Sequence, residues 1–253
     1  AVNMIAFVLC FWILRALLAR LGAGPPMQLL ICSIWGFHPM TISCVMFIRM
    51  YMWLTVFVFL CALLHVRMLQ EARQMERPGG ISFYIRFLIP IMICSYLGFL
   101  TQYYYMIFFF FIGVFYTCWT LATEGLREQR MRSAFLHAGI YVGACAASLL
   151  LAVVSYPASV SHIFRGYRGK EAAAEFVSAA NIGQRIGFFL GLLNQDVFEG
   201  CFYLLLFFLL TGFVLYRISI RTELKMLLFA VTGYFLIVTK TALLLGNTSN
   251  RYQ

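Results

Sequence analysis

Among the forty residues from Met27 to Val66, a single side chain, Arg49, carries a formal charge. A guanidinium inside so apolar a run is costly in hydrocarbon and marks a candidate functional position. Its planar fork grips a carboxylate or a phosphate through paired hydrogen bonds, so one of these is expected beside it. A second cation, Lys240, stands near the end of the last apolar run, and Arg251-Tyr252 follows that run. Each has a plainer role open to it: a structural ion pair for Arg49, a snorkelling anchor for Lys240. Metal and thiol chemistry have little to build on. The eight cysteines all lie in apolar runs, with no C-x-x-C pair and no His/Cys cluster at ligand spacing, and read as small hydrophobes.

These residues need elements to hold them, and composition says which kind. A chain of 253 residues that is 63% hydrophobic and 11% charged, with mean hydropathy +0.88, lies far outside the range of soluble domains. The expected fold is all-α, a polytopic transmembrane bundle of about eight spans forming a single transmembrane domain over residues 1–253. Apolar runs place the spans at Ala1 to Leu18, Met27 to about Pro39, about Cys44 to Val66, Phe87 to Leu100, Tyr104 to Ala122, Leu136 to Ser155, Cys201 to Tyr216 and Met226 to Leu245. The forty-residue run is too long for one crossing and is expected to fold back at His38-Pro39. Fourteen residues are short for the fourth span, so it is expected to be broken or to lean on neighbouring helices, with a local distortion at Pro90. Arg67 to Arg86 reads as a polar segment whose first half is a surface-lying helix, and Glu124 to Arg132 reads as a charged loop. Gly139, Gly143 and Ala147 have the small-xxx-small spacing of a close helix contact. Residues 156–200 are expected to be an exterior loop with amphipathic helices, in which Gly183, Gly187 and Gly191 form a smooth docking ridge.

Orientation follows from the basic residues. Twelve Lys and Arg fall on one side of this topology and seven on the other, so the richer side is cytoplasmic. The net charge of +10 is thereby accounted for mostly by loops, and nucleic acid is not expected as a partner. The seven exterior cations, Arg49, Arg165, Arg168, Lys170, Arg185, Lys240 and Arg251, are the ones topology does not ask for. His38 and His162 are the exterior histidines, and a hydrogen bond at a helix end is the simpler role for each. Tyr103, Tyr104 and Tyr105 suit an interfacial aromatic belt.

Three short motifs in order, Arg49-Met50-Tyr51 leading into an apolar helix, Thr101-Gln102-Tyr103-Tyr104 before a phenylalanine-rich helix, and Arg251-Tyr252 after the last span, carry a resemblance. The chain resembles the core of the polyprenyl-phosphate-sugar-dependent membrane glycosyltransferases, the C superfamily, nearest to the protein O-mannosyltransferase-like and aminoarabinose-transferase-like groups. The resemblance covers nearly the whole chain in hydropathy and order, although each motif is short. It implies an exterior-facing transferase, integral to a bacterial cytoplasmic membrane, whose partners are a polyprenyl-phosphate-linked sugar and membrane lipids, with no cofactor. Arg49, Lys240, Arg251 and Tyr252 then match donor phosphate-binding positions, Lys240 more loosely, with Tyr51, His38, Tyr103, His162 and Arg165 as cavity lining. The family's catalytic base is an acid in its first exterior loop. Glu171, Glu175, Asp196 and Glu199 do not match that acid in position, so no catalytic residue is assigned, and the chain reads as the middle of a longer protein.

Two other classes compete with this reading. An anion or lipid transporter would hold its substrate between Arg49 and Lys240, but the internal repeats such proteins often carry are not visible here. A catalytically silent subunit of the same fold would share the helices and lack the acid.

Overall fold

The computed structural model describes residues 2–46, 50–74, 80–164, 170, 174, 182–216 and 220–241. They form helices throughout, with no strand among the described residues. In chain order these are α1 (Val2–Arg20), α2 (Pro25–Phe37), α3 (Pro39–Met46), α4 (Tyr51–Gln74), α5 (Ile81–Thr101), α6 (Tyr105–Thr120), α7 (Met131–Ser155), α8 (Ala158–Phe164), α9 (Ile182–Leu192), α10 (Phe202–Tyr216) and α11 (Thr222–Thr241). Wider π-helical turns extend α6 over Leu121–Arg127 and α9 over Leu193–Val197. Six helices are individually long and apolar enough to cross a membrane, and two bent pairs raise the possible crossings to eight. The chain is thus an all-α polytopic bundle. It divides into two compact units, the first made of Ala1–Pro157 with Glu223–Val231 and the second of Ala158–Thr222 with Thr232–Gln253.

In the first unit α1 and α4 lie side by side and run the same way. Cys10 packs with Met52 near one end, while Gln70 Nε2 donates to the Arg20 carbonyl at 2.9 Å near the other. α5 returns antiparallel to α4, pinned by the Arg86–Glu71 ion pair at 2.7 Å and, further along, by Cys94 Sγ at 3.3 Å from the Phe57 carbonyl. α6 turns back from α5 over Gln102–Tyr104, and the Tyr105 ring lies against Gly98, where a Cβ would come within 2.8 Å of three of its atoms. The beginning of α11 joins this unit at the opposite end from that turn, where Arg73 holds Glu223 at 3.2 Å.

Several expectations change. Pro25 and Pro26 start α2 in the first-turn positions where a missing N–H costs nothing. His38, the residue before Pro39, is extended at ψ 131° and ends that helix. Pro39 then begins α3 instead of a returning helix, so the chain bends by 57° at His38 and does not reverse there. α4 carries its helix on to Gln74, so the polar residues after Val66 extend a crossing helix and do not form a separate surface one. α5 is one helix of 21 residues with Pro90 inside it, not a short or broken span. Glu124 to Arg127 is π-helical, leaving Glu128 to Arg130 as the connection to α7.

Both small-residue stripes also face differently from expectation. Gly139, Gly143 and Ala147 are exposed, with open space at both glycines. α7 instead packs through Ala134, Ala138, Tyr141, Ser148 and Ala152. In the second unit Gly183, Gly187 and Gly191 likewise meet nothing within 4 Å, and α9 buries Arg185 and Phe189 instead. α9 with its π-helical turn meets α10 at a 100° bend, so the stretch after Asn181 is a helix leading into the next apolar helix.

Candidate functional site

Three of the expected site residues share one end of the first unit. α4 begins at Tyr51, and α5 and α6 meet at Gln102–Tyr104. The antiparallel register set by Glu71–Arg86 and Phe57–Cys94 carries both positions to the end away from those charges. α2 finishes at this same end, since Trp35 stacks on Phe7 near the start of α1 and Asn3 Nδ2 reaches the Val45 carbonyl at 3.4 Å. His38 is therefore here too, and its Nδ1 accepts from the Met40 N–H at 3.2 Å, the helix-end role expected of it. Tyr103 stands half-exposed against Tyr104, ring centroids 4.8 Å apart. The loop-charge count leads one to expect this end to face the exterior.

The remaining expected residues fall elsewhere. Arg49, Arg165, Arg251 and Tyr252 lie outside the described residues, as does the side chain of His162. Lys240 ends α11 in the second unit, and its carbonyl and that of Thr239 accept from Arg185 Nη1 at 3.3 and 3.1 Å. Arg185 is only 5% exposed, so this cation, one of the seven that topology left unexplained, caps the C-terminus of α11.

A buried polar cluster lies at the other end, and the sequence reading passed over it. Glu124, 6% exposed, accepts at 2.6 Å from His137 Nδ1. Four residues further along α7, the Tyr141 hydroxyl meets His65 Nε2 at 2.8 Å. The other nitrogen of His65 faces the Cys61 carbonyl at 2.8 Å, an oxygen that only accepts. Nδ1 must therefore carry the proton and Nε2 must accept from Tyr141, which fixes the tautomer. Tyr84 packs edge-on to His137 with its hydroxyl buried and lacking a hydrogen-bond partner. Between Tyr84, Tyr116, Glu124, His137 and Tyr141 is a cavity of about 10 Å³. That is room for one water, with polar groups to hold it.

The π-helical turn builds this cluster. Its wider winding swings Glu124 and Gly125 inward, both buried, where a regular helix entering a loop would leave a carboxylate facing solvent. A signal was present. Glu124 stands about one helical turn before the connection at Glu128–Arg130 and His137 about two turns after it, so a tight hairpin there brings both within reach of each other. No family model, curated protein or solved structure matches the chain.

Proposed function

We propose that this chain is the membrane core of a glycosyltransferase that takes its sugar from a polyprenyl phosphate and works on the exterior face of a bacterial cytoplasmic membrane. The observation that carries the reading is the common end of Tyr51 and the Gln102–Tyr104 turn. Two motifs about fifty residues apart in sequence, each resembling the same family, lie at the same end of the first unit, which supports the reading. Arg49 precedes Tyr51 by two residues and belongs to the same motif.

The chemistry this end would serve is a displacement at the anomeric carbon. A deprotonated acceptor attacks, the bond between that carbon and the phosphate oxygen breaks, and the polyprenyl phosphate leaves with the bonding electrons. Negative charge grows on the phosphate as it departs. Cations beside it, for which the resemblance offers Arg49, Lys240 and Arg251, would stabilise the transition state more than the bound donor. The buried Glu124–His137 and His65–Tyr141 pairs stand at the opposite end, so their part is to hold α4, α6 and α7 in register beneath the site.

The test is release of polyprenyl phosphate. The protein in liposomes is given a panel of polyprenyl-phosphate hexoses and pentoses, and the lipid products are resolved by mass spectrometry. Turnover of any donor supports the proposal. No release from any of them, with acceptor-containing membrane extract present, refutes it.

A further inference from the structure

Arg15 lies five residues before the end of α1, about 7.5 Å of helix inside Arg20, and its side chain is exposed. Among the described residues it makes no hydrogen bond or ion pair. It does not stand on a smooth helix face. With Phe11, Trp12, Gln28, Leu29 and Ser33 it lines a groove of about 390 Å³ between α1 and α2. Trp12 and Leu29 form its rims, 67% and 70% exposed, and Cys32 forms its buried floor. Gln28 is turned to the Ala23 carbonyl at 2.7 Å, which leaves the guanidinium as the only charge facing the groove.

From this geometry we infer a binding site for an anionic phospholipid of the cytoplasmic leaflet. The basic end of α1 is the cytoplasmic one by loop charge, so the groove opens from the headgroup level toward the middle of the bilayer. Charge complementarity chooses the occupant. A guanidinium in apolar surroundings requires an anion, and a lipid phosphodiester presents two oxygens to its planar fork. One acyl chain then lies along Phe11, Leu29 and the floor at Cys32, and the Trp12 indole sits at headgroup depth, where such rings are favoured. A neutral-headed lipid fits the same groove but brings a compensating cation, so its phosphate gains less from Arg15. This site is separate from the exterior donor site and holds whether or not the protein transfers sugars.

The experiment is native mass spectrometry of the full chain in detergent, titrated with phosphatidylglycerol or phosphatidylcholine of identical acyl chains. The first phosphatidylglycerol should bind about fivefold more tightly than the first phosphatidylcholine, the scale of one basic residue acting on an anionic headgroup. Arg15→Gln should erase that preference, and Arg20→Gln, outside the groove, should leave it in place. Leu29→Trp fills the groove from its exposed rim and should lower retention of both lipids. An unchanged preference in Arg15→Gln, or equal loss in Arg20→Gln, overturns the assignment by reducing it to general headgroup attraction. If Arg15→Gln does not fold, Leu29→Trp decides, because undiminished retention there shows that the groove holds no lipid.

Discussion

Replacing His137 with alanine tests the polar cluster most directly. Glu124 is 6% exposed, and His137 Nδ1 at 2.6 Å is its closest partner. Arg130 follows in the connecting turn but is engaged with Glu128 at 3.7 Å, so it substitutes only in part. Removing His137 leaves a buried carboxyl without its closest hydrogen-bond partner, which costs about 1 to 3 kcal/mol, and the shortness of this contact places the case near 3. Glu124→Gln keeps a side chain able to bond His137 without the charge and should cost about 1 kcal/mol. Glu124→Leu with His137→Leu removes both polar groups and should be more stable than His137→Ala. Stability is read as the folded fraction in a detergent series, with a thiol-reactive dye reporting exposure of the buried Cys10, Cys32, Cys61 and Cys94. His137→Ala within about 1 kcal/mol of the parent, below the cost expected for an orphaned buried carboxyl, would refute the reasoning.

Gly98→Ala should destabilise by about 1 to 3 kcal/mol, since the new Cβ presses on a buried Tyr105 ring, whereas Gly187→Ala has open space and should be neutral or slightly stabilising; the same dye assay ranks them. Glu128→Cys in a cysteine-free background should be shielded from an impermeant maleimide in intact cells and Tyr156→Cys should be labelled, and the reverse pattern inverts the topology. In the transferase assay, Arg49→Lys should lower turnover by keeping the charge without the fork, and Arg49→Ala should lower it further. A folded Arg49→Ala protein with normal turnover removes that residue from the site.

Much of the architecture was legible because hydrocarbon imposes a length. The apolar runs marked the crossing helices. The distortion at His38-Pro39 was equally local, since proline acts on its own backbone and on the residue before it, whereas the start of α2 at Pro25 falls inside what reads as a turn. What that distortion does to the path was not local. Whether a chain bends by 57° or reverses depends on which neighbours receive the next helix, and packing of α3 beside α1 and α4 chose the bend. Helix rotation was hidden for a related reason. A soluble helix shows its buried face as an apolar stripe, but here both the bundle and the lipid are apolar, so Gly139-Gly143 and Gly183-Gly187-Gly191 looked like contact faces and point away from them. The polar cluster was decided last. Glu124 in sequence is one more charge in a cytoplasmic loop, and only the wider turn of Leu121–Arg127 folds it back against His137, because the low dielectric of a buried site makes an opposed, hydrogen-bonded pair the condition for placing a carboxylate there.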